Sequence, residues 1–151
     1  MSLFSGFNIS SSGLTANRMR MDVVSSNIAN ANTTRAQLVN GEWVPYRRKS
    51  VELSQSGVSP FQQQLQSAMN NGSTNVSGVS VSRIKEDTTP FTLSYDPSNP
   101  DAGEDGYVRL PNVDPIKEMV DLMSATRSYE ANVTALNASK SMFMKALEIG
   151  K

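Results

Sequence analysis

The stretch that runs from Asn112 to Phe143, NVDPIKEMVDLMSATRSYEANVTALNASKSMF, carries the clearest structural signal in the chain. Apolar residues recur in it every seven positions: Leu122, Tyr129, Leu136 and Phe143. Because seven residues are close to two helical turns, these side chains form one stripe along a helix. Asp114 is a good N-cap and Pro115 suits the first helical position, so we expect a helix from Pro115 to about Ile149. Gly150 then closes it.

A second stripe with the same seven-residue spacing lies near the start of the chain, at Phe7, Leu14, Met21 and Ile28. It predicts a first helix from about Leu3 to Ala31, and leaves a break at Gly13 open. Residues 1–34 are rich in Ser, Asn and Thr, whose side chains compete for backbone hydrogen bonds. We therefore expect this arm to be largely disordered in the monomer and to fold when it packs on a partner.

The middle of the chain, residues 35–111, has a strand-like character. Alternating and β-branched segments predict strands at residues 43–53, from Val79 onward, at 91–95 and at 107–110. Residues 61–69 fit a short helix or a loop, and residues 96–106 fit a loop. The predicted fold class is helix-dominated α+β, with the long terminal helices paired as in a coiled coil. The predicted domains are a helical arm (1–34), a central β element (35–111) and a last helix (112–151) that packs on the arm.

The composition excludes several classes of function. The chain has 14 basic and 14 acidic residues, and no cysteine or histidine. A net charge of zero gives no general attraction to nucleic acid, and thiol chemistry and zinc sites of the Cys/His kind are absent. No apolar run approaches the roughly 20 residues that span a bilayer. The first residues lack the pattern of a cleavable signal, so we expect a cytosolic protein or export by an unconventional route.

Charged segments of the chain suggest three kinds of site. Residues 47–49 (Arg-Arg-Lys), near Trp43 and Tyr46, could contact nucleic acid, an acidic polymer such as peptidoglycan, or an acidic neighbour, but a solvated strand is favoured. Residues 101–106 suggest a calcium loop, yet Gly and Asn stand where ligands are needed, which favours a polar turn. The adjacent acids at 86–87 and 104–105 do not form a glycosidase pair across a cleft. No catalytic, cofactor or metal residue is therefore predicted.

Four methionines of the predicted last helix have two possible roles. Met119, Met123, Met142 and Met144 could form an adaptable binding face, or some could line a helical core while others meet a neighbouring subunit.

Two ordered motifs at opposite ends resemble a known family. Near the start they are SGLTA at 12–16, MDV at 21–23 and NIANANTT at 27–34. Near the end they are NVDPIKEMV at 112–120 and RSYEAN at 127–132. Together they resemble the bacterial flagellar basal-body rod proteins. The middle, with FTLSYDP at 91–97 and GYVRLPNV at 106–113, is most similar to the proximal rod proteins of the C type, whereas TTRA at 33–36 departs from the usual family pattern.

The resemblance implies a structural subunit of the proximal rod that self-assembles with related rod proteins and transmits torque. It implies export through the flagellar type III apparatus without a cleaved signal, and assembly in the periplasm. Implied partners are other copies, related rod proteins, the export apparatus, and peptidoglycan or ring proteins around the rod. No cofactor, no nucleic acid and no membrane span is expected. Two alternatives stay open: a peptidoglycan-cleaving enzyme and a cytosolic coiled-coil adaptor.

The residues expected to carry assembly belong to the two stripes, together with asparagines that should satisfy polar groups at buried positions. They are Leu14, Met21, Asn27, Ile28, Asn30, Leu122, Tyr129, Asn132, Leu136, Phe143 and Leu147.

Overall fold

The structure is a computed structural model that describes residues 5–56, 64–65, 68 and 78–149. These residues form two long helices and, between them in the sequence, six short strands. In chain order they are α1 (Ser5–Ala29), β1 (Gln37–Val39), β2 (Glu42–Val44), β3 (Lys49–Gln55), β4 (Val79–Glu86), β5 (Thr92–Tyr95), β6 (Tyr107–Leu110) and α2 (Pro115–Ile149). The predicted α+β class is confirmed, and the coiled-coil pairing of the helices stays a prediction. Neither described helix combines the length and the hydropathy that a membrane span requires.

Local chemistry explains where α2 begins. Asp114 Oδ1 accepts hydrogen bonds from the backbone N–H groups of Ile116 (3.0 Å) and Lys117 (3.4 Å), so the predicted N-cap of α2 is present. Helix α1 continues unbroken through Gly13. A Cβ atom at Gly13 would lie 2.9 Å from Asn132 Oδ1, so a larger residue at this position would require the Asn132 side chain to move.

The strands form three separate two-stranded sheets: β1–β2, β3–β4 and β5–β6. Antiparallel pairing places Leu38 opposite Trp43 in the first sheet, and Tyr95 opposite Tyr107 in the third. Asn40 and Gly41 join β1 to β2 with φ values of 53° and 89°. Two successive positive φ values are what a type I′ hairpin turn requires, and Asn-Gly is the dipeptide that adopts them most readily.

One predicted strand is wrong and another was missed. Residues 43–53 do not form one strand, because Pro45 to Arg48 leave the ladder between β2 and β3. Tyr46 N–H donates instead to the carbonyl of Thr33 (3.1 Å), and Arg48 N–H donates to Asn112 Oδ1 (2.8 Å). Strand β1 was not predicted, although Asn-Gly at 40–41 is a hairpin signal. The strands at Val79, 91–95 and 107–110 are confirmed within a residue at their starts.

Residues 61–69 lie outside the described part of the chain except for 64, 65 and 68, which are helical. The choice between a short helix and a loop for this segment stays a prediction.

The chain folds into two compact units. The first, called here the terminal unit, comprises Met1–Met19, Glu52–Arg83 and Thr126–Lys151, and Ala16 is buried in it. The second, called the central unit, comprises Arg20–Val51 and Ile84–Ala125. Its buried apolar side chains include Val23, Val24, Tyr46, Val108 and Ala125. The division into three domains that the sequence suggests stays a prediction.

Replacing Gly13 by leucine should lower the stability of the chain by about 1–3 kcal/mol, because the new side chain would have to displace Asn132. Gly6 is the matched control, since no atom lies within 4 Å of a Cβ built there. Gly6→Leu should leave stability unchanged or raise it slightly through better helix propensity. Thermal unfolding followed by circular dichroism measures both, and equal effects of the two variants would contradict the close approach.

Candidate functional site: a buried polar cluster and exposed helix faces

A fully buried carboxylate lies at the centre of the central unit. Glu118 on α2 and Asn27 on α1 are both 0% exposed. Glu118 Oε2 accepts a hydrogen bond from Asn27 Nδ2 (2.8 Å), and Glu118 Oε1 accepts one from Arg48 Nε (2.6 Å). The carboxylate therefore joins both helices to the segment that enters β3, and its charge is neutralised by the guanidinium.

Asn27 uses the whole hydrogen-bonding capacity of its amide. Its Nδ2 donates to Glu118 and to the carbonyl of Lys49 (2.8 Å). Its Oδ1 accepts from Lys49 N–H (2.9 Å) and from the hydroxyl of Tyr46 (3.0 Å). Two donors and two acceptors are thus satisfied, which is all that an asparagine side chain offers. This saturation fixes the start of β3 against α1.

The Arg48 guanidinium lies close to three carboxylates of the central unit. Besides Glu118, its guanidinium lies 3.4 Å from Asp121 Oδ2 and 3.8 Å from Asp87 Oδ2, and its side chain is 19% exposed. The favoured interpretation of residues 47–49 as a solvated strand is therefore wrong. Arg47 stacks over the ring of Phe91 at 4.6 Å, and Lys49 lies 5.6 Å from the ring centre of Tyr46. The three cations are occupied within the chain.

Side-chain hydrogen bonds also anchor the loops of the central unit. Asn112 Nδ2 donates to Thr89 Oγ1 (2.8 Å) and to the carbonyl oxygens of Asp87 and Thr89. Asp101 accepts from Thr34 Oγ1 (2.6 Å) and from Arg35 Nε (2.6 Å). These contacts connect segments far apart in sequence, so they fix the loops without further sheet structure.

Two carboxylates of these loops have shifted acidities. Hydrogen bonds from Thr89, helped by the charge of Arg48, lower the pKa of Asp87 below its ordinary value of 3.8. Hydrogen bonds from Thr34 and Arg35 lower the pKa of Asp101 in the same direction. Both groups therefore stay ionised in the folded chain at mildly acidic pH.

The residues predicted for assembly fall into two groups. Seven stripe residues are half-buried in the single chain: Leu14, Met21, Ile28, Leu122, Tyr129, Leu136 and Phe143. Leu147 is 72% exposed. Asn30 and Asn132 are half-buried and donate to backbone carbonyls one turn earlier, at Ser26 (2.9 Å) and Ser128 (2.8 Å). Their part in contacts between subunits stays a prediction.

Helix α2 presents apolar side chains to solvent. Near its start they lie at i, i+3, i+4 and i+7, which is one helical face: Ile116, Met119, Val120 and Met123. Near its end they are Met142, Met144 and Leu147. The four methionines in question are between 51% and 66% exposed, so the idea that some of them line a core within the chain is wrong. They are available to a partner.

Sequence reasoning missed Glu118, Arg48 and Tyr46 as members of the buried cluster. A signal was nevertheless present, because Glu118 lies four residues before Leu122 and seven before the buried Ala125, on the apolar side of α2. An acid on that side needs a buried partner.

Residues 101–106 are held by hydrogen bonds of the turn type. Gly103 N–H donates to the Tyr107 carbonyl (3.0 Å) and Gly106 N–H to the Gly103 carbonyl (2.9 Å), so the preferred polar turn is confirmed. Across the described ranges, no group of three or more acidic, histidine or cysteine side chains is placed to hold a metal ion.

Comparison with known proteins assigns the chain to a family. A family model described as flagella basal body rod protein matches residues 7–37, and one described as flagellar basal body rod FlgEFG protein C-terminal matches residues 104–149. The flagellar basal-body rod protein FlgC of Bacillus subtilis (strain 168) is 62% identical over 151 residues, which is the full length of both chains. The chain belongs to the flagellar basal-body rod protein family. The chain is also similar to two further FlgC proteins. That of Borreliella burgdorferi is 44% identical over 99% of this chain and 98% of the relative, and that of Salmonella typhimurium is 39% identical over 100% of both.

Membership of the rod protein family confirms the resemblance found in the sequence, including the C type. It also confirms the predicted role as a structural rod subunit that is not an enzyme. The alternative of a peptidoglycan-cleaving enzyme finds no support. Of the buried cluster, Asn27 and Glu118 lie inside the matched segments, whereas Arg48 lies between them.

Replacing Arg48 by methionine should lower the free energy of unfolding of this rod protein by about 3–5 kcal/mol, because the buried Glu118 would lose its counter-charge. The double variant Arg48→Met/Glu118→Met should recover much of that loss, since no buried charge then remains unpaired. Urea unfolding measures all three. The control is Arg83→Met, which breaks the exposed pair with Glu52 and should cost less than about 1 kcal/mol. Equal losses for Arg48→Met and Arg83→Met would contradict the cluster.

The free energy of unfolding of the central unit should decrease when the pH falls below the ordinary aspartate pKa. Because the folded-state pKa of Asp87 and Asp101 is depressed, their stabilisation is fully present above about pH 3.8 and is lost as the pH falls through the lowered values. Unfolding free energies measured from pH 6 down to about pH 2 should therefore fall less steeply at the acid end in Asp101→Asn and Asp87→Asn. An unchanged slope in both variants would argue against the shifts.

Proposed function

We propose that this rod subunit uses its terminal helices in two ways: their half-buried stripes pair within the chain, and the exposed apolar faces of α2 contact neighbouring subunits. The observation that carries the proposal is the exposure of seven large apolar residues on α2 in a chain that is a full-length relative of FlgC rod proteins. A soluble chain with so much exposed apolar surface on one helix is typical of a protein that assembles.

Contacts within each unit support the pairing of the helices. In the central unit, Asn27 of α1 donates to Glu118 of α2. In the terminal unit, Gly13 of α1 gives room to Asn132 of α2. The seven half-buried stripe residues lie on these same two helices. Pairing of the coiled-coil kind, with one stripe against the other, would account for their partial burial.

The exposed faces support contacts between subunits. Ile116 is 75% exposed and Leu147 is 72% exposed, and each would gain about 1.5–3 kcal/mol if fully buried against a neighbour. These side chains lie near opposite ends of a 35-residue helix. An apolar face that meets a different face of the next copy makes a heterologous contact, and such contacts propagate into helical assemblies rather than closing as a dimer.

The remaining parts of the proposal follow the family. The subunit would lie in the proximal rod, transmit torque, and reach the periplasm through the flagellar type III apparatus without a cleaved signal. Its partners there would be other copies, related rod proteins, and ring proteins or peptidoglycan around the rod. Because α1 is a helix in the single chain and its Asn27 donates to Glu118, pairing of the arm with α2 would precede assembly.

Leu147→Asp should block rod assembly while leaving the isolated chain folded. Leu147 is 72% exposed, so an acid there disturbs a contact with a neighbour rather than the chain's own packing. Leu136→Asp should abolish both rod assembly and folding of the isolated chain, because Leu136 is half-buried within the chain. Swimming of a complemented deletion strain, and the presence of the protein in purified basal bodies, measure assembly; circular dichroism of the purified variants measures folding.

The control for this experiment is Asn137→Asp, a near-isosteric change at an exposed polar position of α2 that should leave swimming unchanged. Normal swimming with Leu147→Asp would contradict the use of this face. Absence of the wild-type protein from basal bodies would contradict the rod role as a whole.

A further inference from the structure

A cleft in the central unit has features that the rod role does not use. It measures about 390 Å³, within the size range of small-ligand sites. Two aromatic rings and two pairs of opposite charges are among its lining residues: Trp43, Tyr107, Arg35, Asp101, Glu42 and Arg109. All of them belong to the central unit.

The aromatic side chains of the cleft are exposed. Trp43, the single tryptophan of the chain, is 56% exposed, and Tyr107 is 48% exposed. An indole ring is costly to leave in water, and it buries a large area when a ligand covers it. A ligand that lays an apolar face on these rings would therefore gain more than one that binds through polar groups alone.

The walls of the cleft are held in place by backbone pairing, by a contact between two rings and by one ion pair. Trp43 lies on the short hairpin closed by the Asn40-Gly41 turn, and Tyr107 packs edge-on against Tyr95 with the ring centres 5.2 Å apart. Asp101 is tied to Arg35 and Thr34. A cleft whose walls are already ordered loses little entropy when it binds a ligand.

The charges in the cleft indicate what kind of ligand fits. Arg35 and Asp101 neutralise each other, whereas Glu42 and Arg109 form no ion pair with any residue in the described part of the chain. The lining is thus neutral overall but offers a free acceptor and a free cationic donor. A polyanion would need net positive charge. A neutral ligand whose groups both donate and accept, and whose rings carry flat C–H faces, matches this lining.

We propose that the cleft binds a β-linked hexose oligosaccharide, with sugar rings stacked on Trp43 and Tyr107 and with hydroxyl groups bonded to Glu42 and Arg109. Hydroxyl groups both donate and accept hydrogen bonds, so one saccharide can satisfy both charged groups. Equatorial β-linkages keep the C–H faces flat for stacking. The same chemistry occurs in soluble saccharides and in cell-wall glycan. None of the exposed apolar residues of α2 lines the cleft, and the inference does not rest on the rod role.

Because Trp43 is the only tryptophan, its intrinsic fluorescence reports directly on the cleft. The full-length chain is titrated with N-acetylglucosamine tetrasaccharide up to about 20 mM, which detects even millimolar affinity. A saturable change in emission is expected, and an α-linked dextran fragment should give none. Purified peptidoglycan sacculi, in a sedimentation assay, form the second arm and distinguish a wall glycan from a soluble saccharide.

Variants locate the binding. Arg109→Ala should weaken binding about tenfold or more, measured by the same fluorescence titration. Trp43→Ala should abolish binding, measured by calorimetry. Leu38→Ala is the matched control, since Leu38 is 60% exposed on the same hairpin, opposite Trp43, but does not line the cleft. It should bind as the wild type does.

Several results would overturn the inference. One is that the tetrasaccharide does not bind, or that sacculi bind while the tetrasaccharide does not. Another is that the Trp43→Ala and Arg109→Ala variants bind the tetrasaccharide as tightly as the wild type does. A third is that Leu38→Ala loses as much affinity as these two variants. A fluorescence change that depends only on protein concentration, and that disappears in Arg109→Ala, would place a second copy of the chain in the cleft instead. Binding of the tetrasaccharide alone supports the site and assigns it to soluble saccharides.

Discussion

The ion pair between Glu118 and Arg48 is the contact on which the central unit depends. The carboxylate has no access to water, and taking a charge out of water costs several kcal/mol unless a partner compensates it. Compensation here requires three segments at once: α1 supplies Asn27, the entry to β3 supplies Arg48, and α2 supplies Glu118 itself. The cluster therefore forms only when these segments are together, and it favours one arrangement over looser ones.

Local signals in the sequence were sufficient for the last helix. Asp114 and Pro115 mark its start through side-chain capping and a fixed φ angle, which act over three residues. The strand β6 was found for a similar reason, since turn residues precede it. The three-residue strand β1 was missed because it lacks a pattern long enough to recognise, although the Asn-Gly turn beside it was visible.

The buried cluster could not be predicted because its members are distant in sequence. Asn27 and Glu118 are 91 residues apart, and Arg48 is 70 residues from Glu118. A single sequence does not show which of its basic residues contacts which of its acidic residues in the fold. The degree of burial along the stripes could not be predicted either. The seven-residue spacing predicted which side chains share a helical face, but not that Leu136 is half-buried while Leu147 is exposed. Such differences depend on tertiary contacts.

The division of the strands into three separate ribbons has a consequence for behaviour before assembly. Each strand has one ladder neighbour in the described part of the chain, and the backbone groups of Lys49 on β3 bond to Asn27 instead of to a further strand. Open edges invite sticking between copies, and long cationic side chains oppose it. On β4, Arg83 and Lys85 are both exposed, and they make that edge an unfavourable template for amyloid-like growth. Positive charge along β4 thus disfavours edge-to-edge contacts between copies of the chain.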